Sequence, residues 1–177
     1  WGVKGIKPGF VSTGNQEWQE WIEGMVKKAA KHHLMVNIHD AYRPTGFSRT
    51  YPNLITQEGI HGNEQQPNAD HDAMLPFTRF TIGAGDYTPG YLRAGLQSTW
   101  AHRLALPILF YSPAQFLFWR ERPEARHDRL ELKLWENIPT VWDDTKVIDG
   151  SVGEYAVIAR RSGTTWYVGG ITNANAR

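Results

Sequence analysis

The 177-residue chain carries 19 basic and 18 acidic side chains, a formal charge of +1, and no basic cluster that could track a phosphate backbone, which argues against a nucleic-acid partner. The absence of cysteine excludes disulfides, thiolate metal sites and a cysteine nucleophile, and leaves cytoplasm and periplasm both open. The longest apolar run, 104–111, contains Pro107 and falls short of the roughly 18–20 residues that span a bilayer.

In chain order, residues 2–7 alternate Gly and Lys with Val and Ile before Pro8-Gly9 ends the run, as a strand does. Asn15 or Gln16 can open a helix with Trp18, Trp21, Ile22, Met25, Val26 and Ala29 on one face, its last turns carrying Lys27, Lys28 and Lys31. His32 and His33 then read as surface residues. The apolar run 34–38 reads as a strand buried on both faces, so His39 and Asp40 fall at its carboxyl end, where barrel enzymes keep reactive groups. The stretch 39–64 lacks sustained periodicity and holds Asp40, Glu58 and Glu64 with His39, His61, Arg43 and Arg49; a long loop of this kind inside a compact domain is functional or disordered, and its aromatics argue against disorder. Within it, 54–57 reads as a short strand ending at Glu58.

Residues 65–73 are polar, as a solvated loop is. Residues 75–86 read as a further strand and its loop, with Arg79 among apolar groups and Asp86 at the end. Leu96, Trp100, Leu104 and Ile108 recur at helical spacing until Pro107 interrupts; 108–111 is expected as another strand, and Ser112-Pro113 as the start of another helix. The charge-alternating segment 120–129 reads as solvated helix and loop. Beyond 138 the pattern becomes β-rich: 146–150, then 155–159 and 165–169 around a Ser-Gly turn, a hairpin with too few strands to cover its own edges. The many aromatics, eight Trp and seven Tyr, suit core packing and stacking on sugar rings alike.

The strings HDAYRPTGFSRTYPN, TQEGIHGNE, LPFTRF, GDYTPG, IPTVWDDT and GEYAVIARR, in that order, resemble glycoside hydrolase family 97 over nearly the whole chain. The resemblance implies an α/β fold. Residues 1–138 would be the C-terminal half of a (β/α)8 TIM barrel, strands 4 to 8, and 139–177 the beginning of a C-terminal β-sandwich domain. It also implies cleavage of α-glucosidic bonds in starch-derived oligosaccharides, calcium dependence, and a periplasmic or extracellular location. A complete barrel takes about 250 residues, so the chain is read as an internal fragment, inactive when isolated.

By register, Glu64 matches the general acid, and Asp40 a position where inverting members carry a glutamate base. Glu58 matches a calcium ligand, with Glu64 and Asp40 also bearing on the metal. His39 matches a sugar-binding histidine, with a buried structural histidine as the rival reading. Gly9 stands where the retaining branch has its aspartate nucleophile, which points to inversion; read on its own, Gly9 serves equally as a strand-end turn. A second base and one further metal ligand would lie before Trp1. Arg49 and Asp86 are expected to brace loops, and Trp142-Asp143-Asp144 to join barrel and C-terminal domain. The alternatives are a retaining α-galactosidase of the same family and a sugar-binding barrel remnant without catalysis.

Overall fold

Asn15 opens the first helix through its side chain: its backbone is extended, and its carboxamide oxygen accepts a hydrogen bond from the Trp18 N–H at 2.9 Å, filling one of the orphan donors of the first turn. The computed structural model describes residues 1–90, 97–117, 122 and 132–175. Helix α1 runs Gln16–Lys31 and follows β1, Gly5–Ile6; it leads to β2, Met35–Ile38. Ile22, Val26 and Ala29 bury its apolar face against Val36, Ile38, Tyr42 and Leu54, whereas Trp21, at the edge of the stripe, stays 48% exposed and meets the Trp18 ring edge-on. Each fully buried aliphatic side chain here contributes about 1.5–3 kcal/mol by leaving water.

The short helix α2, Phe47–Thr50, precedes β3, Leu54–Gln57. Strands β1, β2 and β3 form a parallel sheet in that order, with α1 as the crossover between the first two. The Asn53 side chain donates to the carbonyls of Val26 and Leu34 and so ties the loop before β3 to α1 and β2. The stretch 39–53, expected to lack structure, thus carries one helical turn.

Two expected strands are absent, and one expected loop is helical. Residues 65–73 do not form a solvated loop: α3, Ala69–Met74, is capped by the Asn68 side chain, and its Asp72 and Ala73 are fully buried. Residues 75–86 form two 3-10 turns, Leu75–Phe77 and Arg79–Thr81, rather than a strand. Helix α4, Trp100–Leu109, runs through Pro107 into 108–109, where a strand was expected, and no helix begins at Ser112-Pro113. Pro107 removes the donor to the carbonyl four residues back, and the helix ends two residues later, where Arg160, from a distant strand, donates to the carbonyls of Ile108 and Leu109 that the helix itself leaves unpaired. Single hydrogen bonds nevertheless tie these segments to β3 and to one another: the Asp86 N–H donates to Gln57 O at 2.9 Å and the Gly85 N–H to Tyr111 O at 3.0 Å. Leu96 and, apart from Arg122, the segment 120–129 lie outside the described residues.

After α5, Leu132–Asn137, strands β4 (Asp144–Ser151), β5 (Tyr155–Ser162) and β6 (Thr165–Thr172) form an antiparallel sheet, with Gly163 in the left-handed region at the β5–β6 turn. This sheet leans on the rest of the chain as its small size demands: Ala156, Ile158 and Ile171 pack on Leu106 and Leu109 of α4. Asp143 braces the hairpin from outside, accepting from Gly163 N at 2.7 Å. Trp142 lies edge-on to Tyr167.

Arg79 is buried with no carboxylate among its described partners. Its guanidinium donates to five carbonyls, those of Gln57, Glu58, Gly59, Gly83 and Ala84. Burial pulls its pKa from 12.5 down to about 10, which leaves it cationic at neutral pH. The cation therefore acts as a clamp that fixes the chain leaving β3 against the loop after the 3-10 turns. Replacing it by alanine orphans several buried carbonyls at about 1–3 kcal/mol each, so Arg79→Ala is expected to lower unfolding stability by at least about 3 kcal/mol. Arg79→Lys should recover less than half of that, because an ammonium cannot reproduce the planar fork. Equilibrium denaturation reads both values, and a loss under about 1 kcal/mol for the alanine variant would remove the clamp.

Candidate active site

The carboxyl ends of three adjacent parallel strands converge. The His39 N–H donates to Pro8 O beyond β1, and the Glu58 N–H to Ile38 O, so 8–9, 39–40 and 58–59 lie side by side. Asp40 turns the chain there with φ +64°, a conformation that L side chains adopt at a cost of order 1–3 kcal/mol and that clusters at functional sites. Gly59 reverses the neighbouring strand end with φ +54°; a Cβ there would lie 2.1 Å from Tyr42 O, so only glycine lets these two turns nest.

The turns open a pocket of about 510 Å³ whose walls include His39, Asp40, Arg43, Glu58, His61 and Glu64. All four residues singled out for chemistry from the sequence, His39, Asp40, Glu58 and Glu64, thus share one pocket. Glu58 is buried, Asp40 and His39 are half-buried, and Glu64 is exposed to the pocket on the one-turn 3-10 helix Asn63–Gln65.

Asp40 is held from both sides: Oδ1 lies 2.7 Å from His39 Nδ1, in a contact too bent to be a hydrogen bond, and Oδ2 accepts from the Val11 N–H at 3.2 Å. Glu58 Oε2 accepts from the Asp40 N–H at 3.1 Å. Its other oxygen forms an ion pair with Lys7 Nζ at 2.8 Å without an aligned hydrogen bond. Lys7, whose part sequence reasoning missed, also donates to Asp86 Oδ2 at 2.8 Å. Burial works against its charge, but the hydrogen bond to Asp86 and the attraction of Asp86 and Glu58 outweigh it and hold the Lys7 pKa above its usual value. The signal for Lys7 was its place two residues before Gly9, on the same face of an extended chain.

Asp86 braces loops as expected. Fully buried, it accepts from the Asn37 side chain at 2.7 Å and from the backbone N–H groups of Thr88 and Phe116. Arg49 does not: it is exposed, its backbone N–H donates to Gly46 O at 3.0 Å, and its side chain makes no hydrogen bond or ion pair to a described residue.

Gly9 lies at the neighbouring strand end, beside His39 of the pocket wall. It is not in the left-handed region, and an added Cβ would meet His39 ring atoms at 3.4–3.5 Å, ordinary contact. Neither backbone conformation nor crowding requires glycine there; its effect is to leave the space in front of His39 open.

For a metal, the donor chemistry fits a hard cation, since three carboxylates line the pocket and Glu58 Oε1 is a buried oxygen without an aligned donor. As they stand, however, no group of three or more His, Asp or Glu among the described residues is close enough together to hold an ion.

Paired carboxylates at the carboxyl edge of a parallel sheet, facing an open polar pocket, are the equipment of a glycoside-cleaving enzyme. The chain belongs to glycoside hydrolase family 97. Residues 1–60 match the family model described as glycoside hydrolase 97, and 141–177 the one described as glycosyl-hydrolase 97 C-terminal, oligomerisation. A probable retaining α-galactosidase of Streptomyces bingchenggensis is 39% identical over 175 residues, 96% of this chain and 27% of that protein. A retaining α-galactosidase of Bacteroides thetaiotaomicron is 38% identical over 196 residues, 99% of this chain and 30% of that protein. A family 97 enzyme from Pseudoalteromonas sp. strain K8, solved with acarbose, superposes with a TM-score of 0.79 at 34% identity, covering 90% of this chain and 27% of that one. A variant of the same enzyme was solved with panose. The chain thus spans under a third of the length of these relatives. Among the described residues no helix is long and apolar enough to cross a membrane.

Proposed function

We propose that these residues serve an α-glucosidase that acts on starch-derived oligosaccharides with inversion, Glu64 as general acid and Asp40 as the base that activates water. The observation that carries inversion is Gly9: the strand end where the resemblance sets the retaining nucleophile offers no side chain, although one would fit. Asp40, half-buried and steadied by His39 and Val11, is the acidic group next to that open space. His39 orients the sugar, and Glu64, whose carboxylate meets no partner among the described residues, can reach a leaving-group oxygen from the pocket wall. The acarbose and panose complexes of the Pseudoalteromonas enzyme support an oligosaccharide substrate.

The second reading, a retaining α-galactosidase, is favoured by the names of the two curated relatives. It needs a nucleophile other than residue 9. The stereochemical experiment in the Discussion separates the two. A barrel architecture for 1–138, with a C-terminal β-domain from 139, is part of the same proposal. The parallel β1-β2-β3 order and the hydrogen bonds that tie Asp86 to β3 and Gly85 to Tyr111 support it.

Calcium belongs to the proposal: Asp40, Glu58 and Glu64 would hold it, and when bound it would screen their mutual repulsion and polarise the substrate. Chelation is expected to abolish turnover and added calcium to restore it. Glu58→Ala should weaken calcium binding in a calorimeter far more than it weakens sugar binding. Full activity in a metal-free preparation would end this assignment.

A further inference from the structure

Glu64 projects from a single 3-10 turn, a structure too short to hold its own orientation. What fixes that turn lies beneath it. Asn63, 1% exposed, donates its backbone N–H to Tyr87 O at 2.9 Å, and its side-chain oxygen accepts from Arg103 at 3.2 Å. Gly62 packs so closely on the Tyr87 carbonyl that a Cβ would lie 2.6 Å from it. On the far side of the turn Arg103 donates to Pro67 O at 3.1 Å. One guanidinium, itself 1% exposed, therefore grips the chain before and after Glu64.

Arg103 is held in turn by groups from two other elements. Its Nη1 donates to the Tyr87 hydroxyl at 2.8 Å; that hydroxyl donates to Asp72 Oδ1 at 2.7 Å, and Asp72 Oδ2 faces His102 Nε2 at 3.0 Å. Burial, with the Asp72 charge next, pushes the Tyr87 phenol upward, so it remains a protonated donor. Asp72 is fully buried and lies 3.9 Å from Arg103, its counter-charge. A buried arginine–carboxylate pair is poor value as a stabiliser, because desolvation offsets its attraction and apolar replacements often do as well. A connected buried network does specify one geometry, and this one is joined through both terminal nitrogens of Arg103, the Tyr87 hydroxyl and both Asp72 oxygens, with Arg103 Nε left out of it.

We propose that the buried Arg103–Tyr87–Asp72 network is the positioning device for the acid carboxylate of Glu64. The proposal rests on the general-acid reading of Glu64. It makes Tyr87 and Arg103 positioning residues: they touch no substrate and act by keeping the Asn63–Gln65 turn at one height on the pocket wall.

The test is made in active enzyme of the relatives' length that carries these residues, with two α-glycosides: one with a sugar leaving group, which needs protonation, and one with a dinitrophenyl leaving group, which does not. Tyr87→Phe, which removes a single oxygen, is expected to lower kcat on the sugar-leaving substrate by about 10- to 100-fold, the range in which small misplacement of a catalytic group falls. The dinitrophenyl substrate should lose less than about threefold, and KM should hardly move. Arg103→Lys serves as the second variant and should show the same selectivity. In a Glu64→Gln background Tyr87→Phe should add nothing further, because the group it positions is gone. Equal losses on both substrates, or losses that multiply in the double variant, would show the network to be core structure only and overturn the proposal while leaving Glu64 as the acid. If Glu64→Gln is itself unselective, the acid reading fails and the proposal falls with it.

Discussion

Glu64→Gln is expected to lower kcat on unactivated α-glucosides by at least about 10²-fold, since general-acid assistance is worth about 10²–10⁴-fold. The amide keeps the size and pocket position of the carboxyl group but has no proton of suitable acidity to deliver, so the loss isolates the acid role from packing. Substrates with good leaving groups should lose far less, because their glycosidic oxygen departs without protonation. Sugar binding should persist, as Glu64 is one of several groups on a pocket that also presents His39, Arg43 and His61. The loss of turnover also separates an enzyme from a sugar-binding remnant: a binding module keeps its whole function in this variant. Equal losses on activated and unactivated substrates would take Glu64 out of the acid role.

How much of this was legible in the chain depended on whether the deciding contacts were local. Helix α1 was readable because Asn15 caps it and Ile22, Val26 and Ala29 recur at helical spacing; Trp21, on the margin of the same stripe, was misplaced because periodicity does not say how wide the covering surface is. Strands β2 and β3 were readable as short apolar runs bounded by turn residues, and with them the convergence of His39, Asp40 and Glu58.

Asp72 was not readable. In sequence it lies in a polar run, and what buries it are Tyr87, His102 and Arg103, 15 to 31 positions later. The apolar residues 108–109 had the composition of a strand. They stay helical because Arg160, some fifty residues on, caps their carbonyls. In both of these cases a buried polar group found its partner at long range, and local pattern carries no signal for that.

The last expectation is stereochemical. Inversion requires water to attack the anomeric carbon directly, opposite the group that protonates the leaving oxygen, with carboxyl groups about 6.5–9.5 Å apart to admit it; retaining sites bring them to about 5–5.5 Å. Gly9 provides no nucleophile, and the open space before His39 suits a water molecule that Asp40 can deprotonate. Active enzyme carrying this chain is therefore expected to release the β-anomer first from an α-glycoside. Gly9→Asp tests the geometry further. The new side chain has room, since its Cβ would make ordinary contact with His39, yet efficient retention should not appear, because Asp40 and its water still compete for the same carbon. Asp40→Asn should lower turnover by about 10²-fold or more if it removes the base. Proton NMR of the first product, read before mutarotation, decides the matter. An initial α-anomer would mean that another carboxylate forms a covalent intermediate, and the retaining α-galactosidase reading, already the one carried by the names of the curated relatives, would replace inversion.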